Sequence, residues 1–505
     1  MHRDKRQRMM DSIPSQKDRK YDRQLRLWAA SGQRALEEAS VCLLGSSPVA
    51  TETMKNLILP NVGSYTVVDG GNVTEDDLSA NFFFDSDSIG KSKAQSASQL
   101  LNELNKDSTG SYVNKKPSEI VASNLSYFDQ FSIVVASVST FDKYSDLETL
   151  SDYLYSHYIP LVVISTAGFY GYVRVVMKEL PIIDTHPDSL VDLRLDSPWP
   201  ELMEYVNNFP EPDTAAARAH VPMIVLLLKT ADKWIKEHGG SLPSKRDEKL
   251  AFKKQVESLR DGDSENVDEA VAAVWRLYQK SQQVPSQIQD LFDSSSAEDS
   301  TDRDPTFWTL VEALKDFVAE TGTFPLSGTI PDFKAYTKDY VDIQRLYKEK
   351  ANNDLSRFKE IVATKAVKVP DSVIEEFSKN SRFIHLARGT SLTHDVSPES
   401  LSQITSEDND LLKLYYVIRA SQMLGGKQDA FSVMTKTNEL GVTADVAEYS
   451  QEVARYEGRE LHNIASVIGG VAAQEIVKIL AKQYVPLNNT VIFDGIGSKM
   501  EKWAL

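Results

Sequence analysis

Between residues 38 and 170 two apolar patterns alternate. Short runs almost continuous in Val, Ile and Leu, namely EASVCLLG (38–45), SYTVVDG (64–70), FSIVVAS (131–137) and IPLVVIST (159–166), have the composition of strands buried on both faces. Between them lie helical patterns near Thr51 to Leu59 and from Lys91 to Leu104, and a further helix precedes the last run. Strand, helix, strand in this rhythm predicts an α/β domain, a parallel sheet with helices on both faces. From about Pro181 to Tyr449 the pattern changes to long charged helices, such as Phe307 to Ala319 and Tyr340 to Asn352. Within that stretch VPSQIQDLFDSSSAEDSTDRDP (284–305) is rich in Ser and Asp and reads as a linker or mobile loop. Sheet-like material then returns: a helix from about Ile464 to Lys482, followed by NNTVIFDG (488–495). The expected organisation is one α/β domain, residues 1–180 resuming at 450–505, interrupted by a mainly helical insertion over 181–449.

Length and composition narrow the class. The 505 residues allow roughly three ordinary domains, and 41% apolar content is enough for real cores. Apolar runs such as Val221 to Leu228 are well short of the ~18 residues of a membrane span. The charged start, RDKRQR (3–8), lacks the apolar stretch of a secretory signal, so a cytoplasmic and nuclear protein without membrane partners is expected. Seventy-three acidic against 56 basic residues leave a net charge of −17, which repels phosphate backbones and argues against nucleic acid. A single cysteine, Cys42, and eight scattered histidines give neither an intrachain disulfide nor a recognisable metal-ligand spacing.

In a dinucleotide-type domain, phosphate is held where the first strand turns into the first helix, because glycines let backbone N–H groups approach the anion. Here that turn reads Gly45-Ser46-Ser47-Pro48-Val49-Ala50. One of three glycine positions survives, and Pro48 deletes a backbone donor, which makes a poor phosphate cradle. Asp69 closes the second strand 24 residues after Gly45, where an acid accepts hydrogen bonds from ribose hydroxyls; it is equally a turn former before Gly70 and Gly71.

Several longer motifs are more discriminating. KYDRQLRLW (20–28), KNLILPNVGSYTVVDG (55–70), IGKSKA (89–94) and IGGVAAQEIVKILAKQYVPLNNTVIFDG (468–495) resemble the Rossmann-like, ThiF/MoeB-type adenylation fold of ubiquitin-like-modifier activating enzymes. HPDSLVDLRLDSPWPEL (186–202), DPTFWTLVEALKDFV (304–318) and GTIPDFKAY (328–336) resemble the insertion of that family's non-thioester regulatory subunits for Nedd/Rub-type modifiers. The resemblance implies an obligate heterodimer. Its partner, the catalytic activating-enzyme subunit, would bind ATP and magnesium, adenylate the modifier's C-terminal glycine and carry it as a thioester, with the modifier and its conjugating enzyme as further partners. No cofactor is expected in this chain.

Matched residue by residue to the active pattern of the family, Gly45, Asp69 and Lys93 remain as vestiges. Gly71 replaces a second acid, Asp77, Ala80 and Asn81 stand at the Asn, Arg and Gln positions, and Ser139 stands where a later aspartate belongs. An arginine lost and a carboxylate gained weaken the charge neutralisation that adenylyl transfer needs. Cys42, inside a predicted core strand, reads as a buried small hydrophobe rather than a nucleophile, and the insertion corresponding to the family's cysteine domain has no cysteine. Arg23, on the opening helix, is the residue the resemblance singles out: such an arginine reaches the nucleotide phosphates of the partner in trans. By the sequence alone, Arg23 reads as part of a solvated helix face and Lys93 as a surface charge. Gly469, Gly470 and Ala473 permit close backbone approach, within their own domain or, by family position, toward the partner. Three rival readings stand beside this one. The SUMO counterpart lacks so large an insertion, a nicotinamide-dependent dehydrogenase is disfavoured by the altered glycine turn, and a pure scaffold would have no effect on catalysis.

Overall fold

The computed structural model describes residues 16–186, 191–262, 264–295, 304–404 and 411–505. The described residues form two compact units, one within 1–182 and 386–505, the other within 183–385.

The first unit is built on an eight-stranded sheet. Its strands are β1 (Ser40–Leu44), β2 (Ser64–Val68), β3 (Thr109–Val113), β4 (Ile133–Ser137), β5 (Leu161–Ala167), β6 (Tyr170–Val176), β9 (Thr490–Asp494) and β10 (Lys499–Trp503), in the order β10-β9-β6-β5-β4-β1-β2-β3. Strands β3, β2, β1, β4 and β5 are parallel, and β5, β6, β9 and β10 are antiparallel. β7 (Glu179–Ile182) and β8 (His385–Arg388) make a small separate ribbon. The predicted strands are β1, β2, β4, β5 and β9. Strand β3 escapes sequence reading because TGSYV lies at the sheet edge with most of its side chains exposed, so it carries no apolar signature.

Among the helices that cover this sheet are α1 (Asp22–Glu38), α2 (Pro48–Ile58), α3 (Lys93–Asn102), α4 (Tyr144–Ser156), α5 (Leu411–Leu424) and α6 (His462–Ala481). The pleat sends Val41 and Leu43 of β1 into one layer, with Met54 of α2, Ala97 of α3 and Ile468 of α6. Cys42 and Leu44 go into the other, with Leu147 of α4 and Tyr415 of α5. Both faces are therefore dry, which is why the strands read as unbroken Val, Ile and Leu.

Helix α1 is not one rod. Trp28 (φ −125°, ψ 18°) and Ala29 (φ 54°, ψ −173°) break it just where the KYDRQLRLW motif ends. Gln483 Nε2 donates to the Trp28 carbonyl at 3.1 Å, and the Trp28 indole donates to Gln33 at 3.1 Å, so the break is held from both sides.

Three expectations need correction. The return to the α/β unit begins at residue 386, not 450. Residues 386–449 supply α5, whose Tyr415, Tyr416 and Val417 are buried in the sheet's second layer, and Asp395, which bonds Arg174 of β6 at 2.7 Å. The charged appearance of this stretch concealed a buried ion network. The stretch 284–305 is not simply a linker: Ser286–Ser295 is a helix that buries Ile288, Leu291 and Phe292, three apolar residues at helical spacing among the Ser and Asp. Its residues 296–303 lie outside the described residues, as do 3–8 of the N-terminal basic run and 187–190 of the His186 motif. Finally, α6 is long and apolar enough to cross a membrane by length and composition alone, with a mean hydropathy of 1.6. It carries Glu475 and Lys478, bonded at 2.7 Å, and packs its small residues on α2, as the core helix of the sheet does.

The second unit is helical. Helices at Pro200–Asn208, Met223–Glu237, Arg246–Glu257 and Thr337–Ala363 enclose a core that includes Leu193, Trp199, Leu227, Trp234, Phe252 and Tyr347. The predicted helices appear longer than their sequence signals, as Pro305–Thr321 and Thr337–Ala363.

Candidate functional site

A cleft of about 690 Å³ opens at the carboxyl ends of β1, β2 and β4. Its walls include Ser47, Asp69, Gly71, Asp77, Ala80, Lys93, Ser139 and Glu460, so it gathers most of the vestigial positions. Open parallel sheets place ligands in this crevice, and the question is which groups remain available to hold one.

The turn after β1 is committed to its own fold. Gly45 has φ 100°, and a Cβ there would lie 1.9 Å from the Thr140 hydroxyl oxygen, so glycine is needed for a close approach to the loop after β4. Asp69 is buried, and both its oxygens are taken: Ser46 N–H donates to Oδ2 at 2.9 Å and Gly71 N–H to Oδ1 at 2.8 Å. Of the two roles open to Asp69, turn former and ribose acceptor, this geometry is that of the turn former.

Lys93 is equally engaged. Its Nζ lies 2.6 Å from Asp77 Oδ1, while Asp77 Oδ2 accepts from the Thr74 N–H at 2.8 Å and the Thr74 hydroxyl at 2.7 Å. Burial opposes ionisation of Asp77, but the Lys93 and Thr74 contacts outweigh it and hold its carboxyl below the usual carboxylate range. The lysine is thus a half-buried ion-pair member rather than free surface charge. Asn81 is buried, donating to the Ser46 carbonyl at 2.9 Å and accepting from Thr51 and Phe83, a purely structural role. Ser139 Oγ lies 3.1 Å from Ser137 Oγ, and Ala80 lines the rim without a polar group.

Sequence reasoning missed the residue that most changes the cleft. Glu460 enters it from just before α6, and its Oε2 accepts from the Val49 N–H of α2 at 3.1 Å and from the Thr166 hydroxyl at 2.6 Å. More than four hundred positions separate Glu460 from Val49, so no local motif joins them. On the same wall His462 Nε2 lies 3.0 Å from Glu52 Oε1 and its ring stacks on Phe82, 3.6 Å between centroids.

Cys42 is fully buried in β1, and desolvation pushes its thiol far above the ordinary range. A buried thiol of that kind is neither exposed nor ionised, so it cannot accept an acyl group. An aromatic disulfide reagent should leave Cys42 untouched in the native chain and titrate one thiol after denaturation; native reactivity within minutes would contradict the burial.

Arg23 is exposed on the first part of α1. Its neighbours Lys17, Lys20 and Arg26 pair with Glu37, Asp107 and Asp22. Arg23 makes no ion pair among the described residues, which leaves its charge available. The expectation for the small residues of α6 divides. Gly469 and Ala473 are buried inside the unit, a Cβ at Gly469 meeting Glu52 and Thr53 of α2 at 2.9 Å, so neither can face a partner. Only Gly470 looks outward, with nothing within 4 Å of a Cβ placed there.

Residues 21–505 match the ThiF family. The chain belongs to that family. Within it, the chain is 36% identical over 95% of its length to the NEDD8-activating enzyme E1 regulatory subunit AXR1 of Arabidopsis thaliana, covering 95% of that protein. It is 35% identical to the NEDD8-activating enzyme E1 regulatory subunit of Xenopus laevis over 95% of its own length and 97% of the relative's. The Saccharomyces cerevisiae regulatory subunit is 27% identical over 95% of the chain. This is the group of ThiF proteins that the opening-helix and insertion motifs indicated, and the SUMO alternative is not favoured.

Proposed function

We propose that this chain is the regulatory half of a two-chain enzyme that activates a NEDD8-type ubiquitin-like modifier. The partner binds ATP and magnesium, adenylates the modifier's C-terminal glycine and receives it on its own cysteine, before a conjugating enzyme takes it on. The names of the relatives over nearly full length support the assignment, and one observation carries the division of labour. The retained polar groups of the nucleotide site in this cleft, Asp69 and Lys93, are satisfied by their own chain, as is Asn81 at the Gln position, and the only thiol lies inside β1.

Arg23 contributes across the interface. An exposed guanidinium with no competing carboxylate can place fixed positive charge on a neighbouring chain's phosphates without any nucleotide site of its own. Accordingly, the purified chain alone should show no ATP–pyrophosphate exchange, while the assembled heterodimer should. Arg23→Ala should lower exchange by the heterodimer on the order of a hundredfold without dissociating it, the scale of removing one preorganised electrostatic contact. Unchanged exchange by the variant would leave a scaffold without catalytic effect as the better description, and robust exchange by the isolated chain would refute the division of labour.

A further inference from the structure

The donors that open α2 already hold an anion, and that anion belongs to the chain. Pro48 has no N–H, so Val49 offers the first backbone donor of the helix, and it points to Glu460 Oε2 at 3.1 Å. The Thr166 hydroxyl reaches the same oxygen at 2.6 Å, and the Ser47 hydroxyl and the Lys93 charge also favour its ionised form. The backbone fixes the carboxylate in place. Glu460 forms an isolated parallel bridge with Gly168, and the Gly168 N–H donates to the Arg459 carbonyl at 2.9 Å. Gly168, at φ 57°, lies so near Tyr456 that a Cβ would fall 2.0 Å from its ring.

This placement is not what an acidic side chain prefers. Desolvation pushes the Glu460 carboxyl up despite its donors, and Glu460 makes no ion pair among the described residues. The cleft it faces also presents Arg459, with Lys93 and Lys116 paired to Asp77 and Asp142, and in the same turn the Ser46 hydroxyl is buried without a partner. A carboxylate held at the N-terminus of an eleven-residue helix, at the mouth of this cleft, stands where a phosphate group would be held.

We propose that Glu460 is a built-in anion that fills the phosphate position of this lobe, so that exclusion of phosphate depends on one side chain rather than on the altered glycine turn. The inference rests on the reading that this lobe handles no nucleotide. With the carboxylate removed, the Val49 N–H and the Thr166 hydroxyl lose their acceptor, and the position becomes a site for a phosphate or diphosphate group.

The full-length chain, its Glu460→Ala variant and its Glu460→Ser variant are titrated with inorganic pyrophosphate by calorimetry, with circular dichroism confirming the fold of each. Both variants remove the charge and vacate the position, serine leaving a small polar side chain, so either reports if the other fails to fold. A folded variant should bind pyrophosphate at least tenfold more tightly than the wild type and melt at a higher temperature in its presence, as a ligand of the native state requires. Folded variants that bind as weakly as the wild type would overturn the proposal while leaving the reading of the lobe intact. Wild-type binding of ATP with magnesium would instead sink that reading.

Discussion

Replacing Asp395 with alanine should destabilise the α/β unit by about 3–5 kcal/mol, the scale of leaving a buried charge uncompensated. Asp395 is wholly buried and serves two arginines that are also wholly buried: Arg174 Nη2 lies 2.7 Å from Oδ1 and Arg419 Nη1 3.1 Å from Oδ2. Tyr415 donates to Oδ2 at 2.5 Å, and Glu148 takes the other side of Arg419 at 2.8 Å. Without the aspartate, Arg419 keeps only the partly exposed Glu148 and Arg174 keeps no carboxylate partner among the described residues, so the penalty is the desolvation of charge rather than the loss of one hydrogen bond. The network joins β6 to the segment at 390–424, which makes it one of the ties between the two stretches of chain that build this unit. In a calorimetric scan the transition of the α/β unit should fall by roughly 10 °C. A transition at the wild-type temperature would mean that apolar packing by α5 alone secures the segment.

Gly469→Leu should be comparably damaging, and its neighbour should not. A Cβ at Gly469 already lies 2.9 Å from the Thr53 backbone nitrogen, and backbone cannot turn aside as a side chain can. The further carbons of leucine must push α6 away from α2, and since this contact closes the first core layer over Met54 and Ile468, a loss of about 3 kcal/mol or more is expected. A Cβ at Gly470 meets nothing within 4 Å, and the helix interior favours leucine over glycine, so Gly470→Leu should not destabilise the chain. Urea unfolding of the two variants checks the contrast, and equal midpoints would show that α6 can shift on α2 without penalty. The same pair separates the two readings of the small-residue stripe. If a partner subunit covers the outer face of α6, Gly470→Leu should weaken co-purification of the heterodimer although the chain itself stays folded.

How much of the site was legible follows from where its residues lie. Gly45, Asp69 and Lys93 sit at fixed offsets from strand ends and helix starts, so the motif located the cleft, and the Asp77 substitution pointed to weaker neutralisation of phosphate charge there. What those residues do there was not legible: Asp69 closes its own turn and Lys93 is neutralised by the very aspartate the pattern flagged. The boundary near 450 failed for a similar reason, because the ion network around Asp395 makes a buried segment look like a charged surface one.

By itself the sequence determined the α/β class, the two apolar layers, the burial of Cys42 and the family, because strand periodicity, turn chemistry and long motifs are local and survive substitution elsewhere. Only the tertiary structure decided which neighbours those residues meet. Glu460 reaches the start of α2 across 411 positions, Asp395 reaches Arg174 across 221, and Gly469 presses on α2 from the far end of the chain. Such contacts depend on how the chain returns to the sheet, and a carboxylate has the same local signature whether it faces water, an arginine or a helix terminus.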